Sequence, residues 1–277
     1  MFDLRASGMV FGCWVVYVVG VKRKYIEATY ELLARDGLNG VSIRKIADEV
    51  GCSSAALYRH FPDIDKLTAV ASIRFLRSYI NNARFLSQVE LNPLELNLQL
   101  WECLAYYSFR NADVFENMFF GDAGGSLYPQ AAAEYFEQYP EDLAGLKDFM
   151  LDMVQNTTIT ERDSILLNRA AEMGMLSPES AEYLCKVDSY LYHGMLASLR
   201  AKNLDDRGYR ATTKEFMQLL IRGYKMQLEE GFSILVVELD PDVSETSFKA
   251  IARPSYRIEV VALKGGAFGR DWQKATA

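Results

Sequence analysis

Histidine and cysteine are scarce in this 277-residue chain, and their scarcity excludes several kinds of site. His60 and His193 are the only histidines, so a histidine-based metal or hydrolytic centre is not expected. Neither a CxxC pair nor a Cys/His ligand spacing occurs among the four cysteines, Cys13, Cys52, Cys103 and Cys185. We therefore expect reduced thiols, a cytoplasmic location, and no metal or cofactor.

Long apolar runs are also rare. Residues 9–19 (MVFGCWVVYVV) are almost entirely apolar, but a membrane span needs about 20 such residues. The run lacks a convincing cleavage site and basic leader, so a secretory signal is not supported. We interpret residues 1–20 as an extension upstream of a native start at Val21, and we expect no membrane partner.

Positive charge is in short supply, because 30 Lys and Arg face 37 Asp and Glu, a formal net charge of −7. That balance argues against extensive contact with nucleic acid or anionic lipid. It leaves room for a small cationic face on an acidic body. Residues 21–67 carry eight basic and seven acidic side chains, so the acidic excess lies in the rest of the chain.

Helical periodicity extends through residues 21–230, and strand patterns appear only after Gly231. Helix starts are predicted at Asn92-Pro93, Thr160, Ser177-Pro178 and Thr212. Two β-rich runs, residues 233–239 and 256–263, predict a hairpin or an extension to which no function is assigned. The predicted fold class is all-α with a short β-rich C-terminal tail.

Residues 41–61 (VSIRKIADEVGCSSAALYRHF) predict two short helices joined at Gly51, where glycine can take a positive φ. Apolar residues such as Ile46 and Leu57 would pack both helices against Ile26 and Leu33 of the preceding helix. The second helix begins with the small residues 53–56. Small side chains there allow a helix to approach base edges in a DNA major groove.

These residues resemble the TetR family of bacterial transcriptional regulators. The resemblance covers residues 22–67 and rests on GVSIRKIA (residues 40–47), Val50-Gly51, AALY (residues 55–58), His60-Phe61 and Lys66-Leu67, with departures at Cys52 and Arg59. It implies a helix-turn-helix domain of three helices at residues 21–67 and a helical ligand-binding and dimerisation domain at residues 68–230. Residues 231–277 would be an appendage.

The resemblance assigns DNA contacts by position, in three groups. Phosphate contacts are expected from Ser42, Lys45, Tyr58, His60 and Lys66. Base-edge contacts are expected from Arg44, Ser53, Ser54, Ala55, Ala56 and Arg59. The DNA backbone or neighbouring minor groove is expected to meet Lys22, Arg23 and Lys24. The alternative is that these charges form only the solvated face of a three-helix unit.

For the body, the resemblance implies a ligand cavity and a dimer formed by the last two long helices. Adaptable apolar side chains that would suit an apolar effector, or equally a plain core, are Trp101, Tyr107, Phe115, Met118, Phe119, Met150 and Met153. Dimer candidates are the apolar rows in residues 183–199 and 216–228. His193 is expected to be a core histidine rather than a ligand contact.

The expected function is a repressor that binds a palindromic double-stranded operator as a homodimer and is released by a small molecule. The rival interpretations are a helical interaction protein with a non-functional DNA motif and, less favoured, an enzyme. For the enzyme, the glycine loop at Gly121, Gly124 and Gly125 lacks both a preceding strand and a following Gly-Lys-Ser/Thr.

Overall fold

The structure is a computed structural model that describes residues 7–121, 124–155, 158–200, 202–237 and 257–261. Side chains are described within these ranges except at 7–19, 124–126, 237 and 257–259. The helices are α1 (Ser7–Asp36), α2 (Ile43–Val50), α3 (Ser54–Leu57), α4 (Ile64–Ile73), α5 (Arg77–Leu86), α6 (Pro93–Ser108), α7 (Ala112–Phe120), α8 (Gly124–Gln138), α9 (Asp148–Gln155), α10 (Ile159–Glu172), α11 (Pro178–Leu199) and α12 (Asp206–Gln227). The strands are β1 (Ser233–Val237) and β2 (Arg257–Val261). The all-α prediction with a short β-rich tail is confirmed.

Helix α1 begins at Ser7, well before the predicted start of the helix-turn-helix domain at Val21. The apolar run of residues 9–19 is helical and continues into the amphipathic part of α1 without a break. Residues 1–6 lie outside the described part of the chain, and the native start at Val21 stays a prediction. Among the described residues, no helix combines the length and apolarity needed to cross a bilayer.

The turn between α2 and α3 has the predicted features. Gly51 ends α2 with φ +74°, a left-handed conformation that glycine adopts without strain. Helix α3 is a single turn that ends at Leu57. The next residues form a tighter turn, in which the Arg59 amide bonds the Ala56 carbonyl and the His60 amide bonds the Leu57 carbonyl.

The core under these helices follows the predicted pattern. Ile26 and Leu33 of α1 are buried, as are Ile46 of α2 and Leu57 of α3. Phe61, which follows α3, is also fully buried and meets the ring of Tyr25 edge-on at 6.5 Å. This apolar packing fixes α3 against α1, so the outer side of α3 is left to the solvent.

Contacts divide the chain into two compact units. Unit 1 comprises the described residues up to Phe85, together with Tyr107–Ile159 and His193–Asn203. Unit 2 comprises Leu86–Tyr106, Thr160–Tyr192 and the described residues from Leu204 onward. The domain boundaries predicted at residues 67 and 230 stay predictions.

Capping residues explain where the later helices begin. Asn92 and Glu95 form the predicted capping box at α6, because each side chain accepts the other's backbone amide at 3.0 Å. Helix α12 begins at Asp206 rather than near Thr212, because the Asp205 side chain accepts the Gly208 amide at 2.8 Å. Thr212 is then inside the helix, where its hydroxyl donates to the Gly208 carbonyl.

The tail forms the predicted hairpin, which belongs to unit 2. Strands β1 and β2 pair antiparallel, from Ser233 opposite Val261 to Val237 opposite Arg257. Ile234 and Val236 are buried on one face of β1. The residues that join the strands lie outside the described part of the chain.

Candidate nucleic-acid interface

The outer surface of α3 presents small and polar side chains to the solvent. Ser53 caps the helix, since its hydroxyl accepts the Ala56 amide at 3.3 Å. Ser54 and Ala55 are exposed, Ala56 is half-buried, and Tyr58 is 53% exposed. A surface with so little side-chain bulk allows the backbone of α3 to approach a groove floor closely.

Three cations of the predicted set remain available around this surface. Lys24 on α1, Arg44 on α2 and Arg59 after α3 are all exposed. Within the described residues, none of the three forms an ion pair with an acidic side chain. They can therefore meet phosphates or base edges without first breaking a contact in the chain.

Lys22 and Lys66, both predicted phosphate contacts, instead share one carboxylate of the body. Their ammonium groups lie 2.9 and 3.1 Å from the two carboxylate oxygens of Glu134 on α8. The Glu134 side chain is only 12% exposed. Burial alone would raise the pKa of Glu134, but the hydrogen bonds from both lysines outweigh it and hold the pKa below its ordinary value.

Lys45 and Arg23 also have partners within unit 1. The Lys45 ammonium donates to the Gly40 carbonyl at 2.8 Å and lies 3.7 Å from Asp36. The Arg23 guanidinium bonds Glu141 at 3.3 Å and lies 4.5 Å above the Tyr139 ring. Contact of either cation with a phosphate would compete with these interactions.

Ser42 and His60 have partners within the protein, and each keeps a group that can still donate a hydrogen bond to DNA. The Ser42 hydroxyl caps α2 by accepting the Lys45 amide at 3.3 Å, and its own proton remains able to donate. His60 is half-buried, with its ring 5.6 Å from that of Tyr25. Burial lowers the pKa of His60, and the nearby charges of Lys22 and Arg59 lower it further. A neutral imidazole would therefore contact DNA at neutral pH.

Two further contacts tie this helix-turn-helix region to helices after residue 67 within unit 1. A carboxylate oxygen of Asp113 on α7 accepts the Leu38 amide at 3.1 Å and lies against Gly37, where an added Cβ would be 2.8 Å from it. The Phe75 ring lies 4.8 Å from Tyr30 of α1 and 6.3 Å from Phe115 of α7. No sequence motif marks Asp113 or Glu134, because their partners are 68 to 112 residues away.

The structure does not bring the seven predicted ligand contacts together in one unit. Trp101 lies in unit 2, where its ring is 5.3 Å from Tyr192. Phe115 and Phe119 are buried in unit 1 with rings 6.1 Å apart. The other four predicted contacts, also in unit 1, are Tyr107, Met118, Met150 and Met153.

His193 was expected in the core, and that expectation is wrong. Its side chain is 41% exposed, and its ring stacks on Phe120 with centroids 4.1 Å apart. Its Nε2 atom lies 3.6 Å from Glu116, which also pairs with Arg200 at 2.9 Å. All four residues belong to unit 1.

Unit 2 contains a buried polar network that sequence reasoning missed. One oxygen of Asp163 accepts hydrogen bonds from Asn97 and from the Trp101 indole, both at 2.7 Å. The Tyr224 hydroxyl accepts from Asn97 and donates to Asp188, both at 2.8 Å. Burial raises the pKa of Asp163 to about 7 and that of Asp188 well above its ordinary value. The sequence feature that could have revealed this network is the presence of polar residues in helices that are otherwise apolar.

The helix-turn-helix geometry and its exposed cations are typical of a DNA-binding region. Residues 26–70 match the family described as bacterial regulatory proteins, tetR family. This match covers the helix-turn-helix region and supports the predicted resemblance of these residues to the TetR family of transcriptional regulators. No curated protein matches the chain.

Solved structures similar to this chain include transcriptional regulators. RolR in complex with resorcinol has a TM-score of 0.49 at 12% identity, over 76% of this chain and 94% of that one. FadR of Thermus thermophilus, in complex with lauroyl-CoA, scores 0.47 at 18% identity, over 73% and 94%. KstR2 of Mycobacterium tuberculosis, a ketosteroid transcriptional regulator, scores 0.44 at 16% identity, over 76% and 95%. Similarity at this level does not indicate a shared ligand.

Proposed function

We propose that this protein is a cytoplasmic, ligand-responsive repressor that binds a palindromic DNA operator as a homodimer. The observation that carries the proposal is the outer surface of α3, whose small residues are flanked by the available cations Arg44 and Arg59. In a symmetric dimer the two α3 helices would enter major grooves about one DNA turn, or roughly 34–36 Å, apart. An acidic body would limit non-specific contacts elsewhere.

The contacts suggest a division of roles among the predicted DNA-binding residues. Arg44 and the α3 residues are free to read base edges, and Lys24 and Tyr58 are free to bind phosphates. Lys22 and Lys66 are held by Glu134 and reach DNA only when that contact opens. The DNA-binding surface is therefore coupled to α8.

The dimer proposal rests on exposed apolar residues of α11 and α12 in unit 2. Tyr183 and Tyr190 are 52% and 73% exposed and lie seven residues apart on α11. Leu219 and Met226 are 43% and 44% exposed with the same spacing on α12. Seven residues are about two helical turns, so each pair lies on one side of its helix. The other predicted dimer residues that are buried within the single chain are Leu184, Leu196, Leu199, Phe216, Leu220, Tyr224 and Leu228.

DNA binding is tested by gel shift with the region upstream of the protein's own gene, against random DNA of equal length. We expect binding that resists random competitor and weakens as salt rises. Arg44→Ala should reduce affinity for the specific site by roughly 1–3 kcal/mol. It should also lower the ratio of affinity for the specific site to affinity for random DNA. Tyr58→Phe should weaken binding to both DNAs about equally, because it removes a phosphate contact.

Lys186→Ala is the matched control. It also removes one positive charge, but from an exposed pair with Glu182 on α11, and it should leave both affinities unchanged. Loss of binding in the control would mean that net charge, rather than the α3 surface, governs affinity. Wild-type protein that binds both DNAs equally would favour the interaction-protein alternative.

A further inference from the structure

Helix α6 carries a buried stripe of four residues in unit 2: Glu95, Gln99, Glu102 and Tyr106. Their spacing, at 3.6 residues per turn, places them within a sector of about 60° around the helix. Gln99 and Glu102 are each 1% exposed, and Glu95 and Tyr106 are each 8% exposed. The stripe is thus one continuous, buried, largely polar side of the helix.

Both ends of the stripe have partners. One carboxylate oxygen of Glu95 accepts the Leu235 amide of β1 at 2.7 Å, and the other accepts the Asn92 amide at 3.0 Å. At the opposite end, the Arg210 guanidinium of α12 lies 5.9 Å from the centre of the Tyr106 ring. The ends of the stripe are therefore explained by contacts with the hairpin, the helix cap and α12.

The middle of the stripe has no such partners. In the described part of the chain, neither amide atom of Gln99 reaches a hydrogen-bond partner, and neither does the Oε2 atom of Glu102. Asn97 on the same helix differs, because its amide bonds both Asp163 and Tyr224. Among the described residues the Ser108 hydroxyl at the end of α6 also lacks a partner, but Gln99 and Glu102 lie next to each other, about one helical turn apart.

A buried polar group without a partner destabilises a folded protein, so such groups are few in native structures. Two of them one turn apart are explained if a ligand supplies the missing hydrogen bonds. Burial also raises the pKa of Glu102 well above its ordinary value. Burial thus favours the neutral form of the Glu102 carboxyl, which can accept a hydrogen bond from a donor and, next to a cation, release its proton.

We propose that Gln99 and Glu102 bind the polar head of the effector, a small molecule with a hydroxyl or primary amine. The head would donate to Glu102, and the Gln99 amide, both donor and acceptor, would complete its hydrogen bonds. The inference rests on the proposed ligand-responsive function. It makes the effector amphipathic and places its polar end at α6 of unit 2.

The first test needs no knowledge of the effector. Gln99→Met and Glu102→Met keep the side-chain length and remove the groups without partners, so each variant should unfold at a temperature at least about 3 °C above the wild type. Asn97→Leu is the matched control, and its unfolding temperature should fall because Asp163 and Tyr224 lose a partner. An unchanged or lower unfolding temperature for both methionine variants overturns the proposal.

The second test uses benzylamine and benzyl alcohol as donor-bearing probes and toluene as a probe of similar size without a donor. Benzylamine or benzyl alcohol should raise the unfolding temperature of the wild type, and neither should raise that of Glu102→Met. No shift with either donor probe, or an equal shift with toluene, overturns the proposal. A donor-specific shift in a protein that fails to bind DNA would keep this site and reject the repressor function.

Discussion

Replacement of Glu134 by glutamine tests whether the ion pairs of this α8 residue keep Lys22 and Lys66 from binding DNA. Glu134→Gln keeps the shape of the side chain and removes the charge that binds Lys22 and Lys66 at 2.9 and 3.1 Å. Each lysine that reaches a phosphate steepens the dependence of log K on log salt by about 0.9. Two released lysines therefore add up to about 2 to the slope, an extra threefold loss of affinity for each doubling of salt.

The same substitution should lower stability. The lysine side chains are 23% and 31% exposed, so the loss should be about 1–2 kcal/mol, below the 3–5 kcal/mol typical of a fully buried pair. Affinity is measured by fluorescence anisotropy on a labelled operator at five salt concentrations, well below the unfolding temperature. At the lowest salt, Glu134→Gln should bind more tightly than the wild type.

Glu141→Gln is the control, because Glu141 is half-exposed and, among the residues that the structure describes, forms an ion pair with Arg23 alone. It should change the salt slope by no more than about 1. If Glu134→Gln leaves both the slope and the low-salt affinity at wild-type values, Lys22 and Lys66 do not contact phosphates. The coupling of α8 to the DNA-binding surface would then be rejected.

Three further predictions concern the rest of the chain. Burial raises the pKa of Asp163 in the folded protein to about 7, from an ordinary value of 3.8. The stabilisation that its proton provides is therefore fully present below about pH 4 and is lost as the pH rises through 7. Asp163→Asn should therefore flatten the fall of unfolding temperature between pH 5 and 8, an effect of at most about 3 kcal/mol. An unaltered pH profile would contradict the raised pKa of Asp163. Leu219→Asp should convert the dimer to a monomer in light scattering, whereas Met173→Asp, an exposed apolar site outside α11 and α12, should not. Gly51→Ala should cost about 1–2 kcal/mol in chemical denaturation from its φ of +74° alone, because an added Cβ meets nothing within 4 Å.

The local features of the DNA-binding region could be predicted from sequence because they depend on neighbouring residues. Ser42, Gly51 and Ser53 act within three or four positions of themselves, as helix caps and as a turn. The capping box of Asn92 and Glu95 is equally local. The start of α12 was predicted too late, because Thr212 is a residue type that often caps helices. Asp205 caps the helix earlier, and the helix continues through Thr212.

The long-range contacts could not be predicted in the same way. Glu134 has no distinguishing neighbours, and its role arises only when α8 lies beside α1 and α4. The family resemblance assigned Lys22 and Lys66 to DNA by position alone, because a sequence does not show which carboxylate folds against which cation. Likewise, Gln99 and Asn97 look equivalent in the sequence of α6, and only the packing leaves one without partners.

The contacts of Glu134 link DNA binding to the position of α8, because both depend on the same charged groups, Lys22, Lys66 and Glu134. A phosphate that takes Lys22 or Lys66 leaves the buried Glu134 carboxylate with one cation fewer, which raises the free energy of the present position of α8. By linkage, any ligand that favours this position of α8 must weaken DNA binding by the same factor by which DNA weakens the ligand. Because this coupling runs through ion pairs, it should shrink as salt rises, whereas coupling through the Tyr30–Phe75–Phe115 ring contacts should not. Measuring ligand-induced loss of operator affinity at low and high salt therefore separates the two routes.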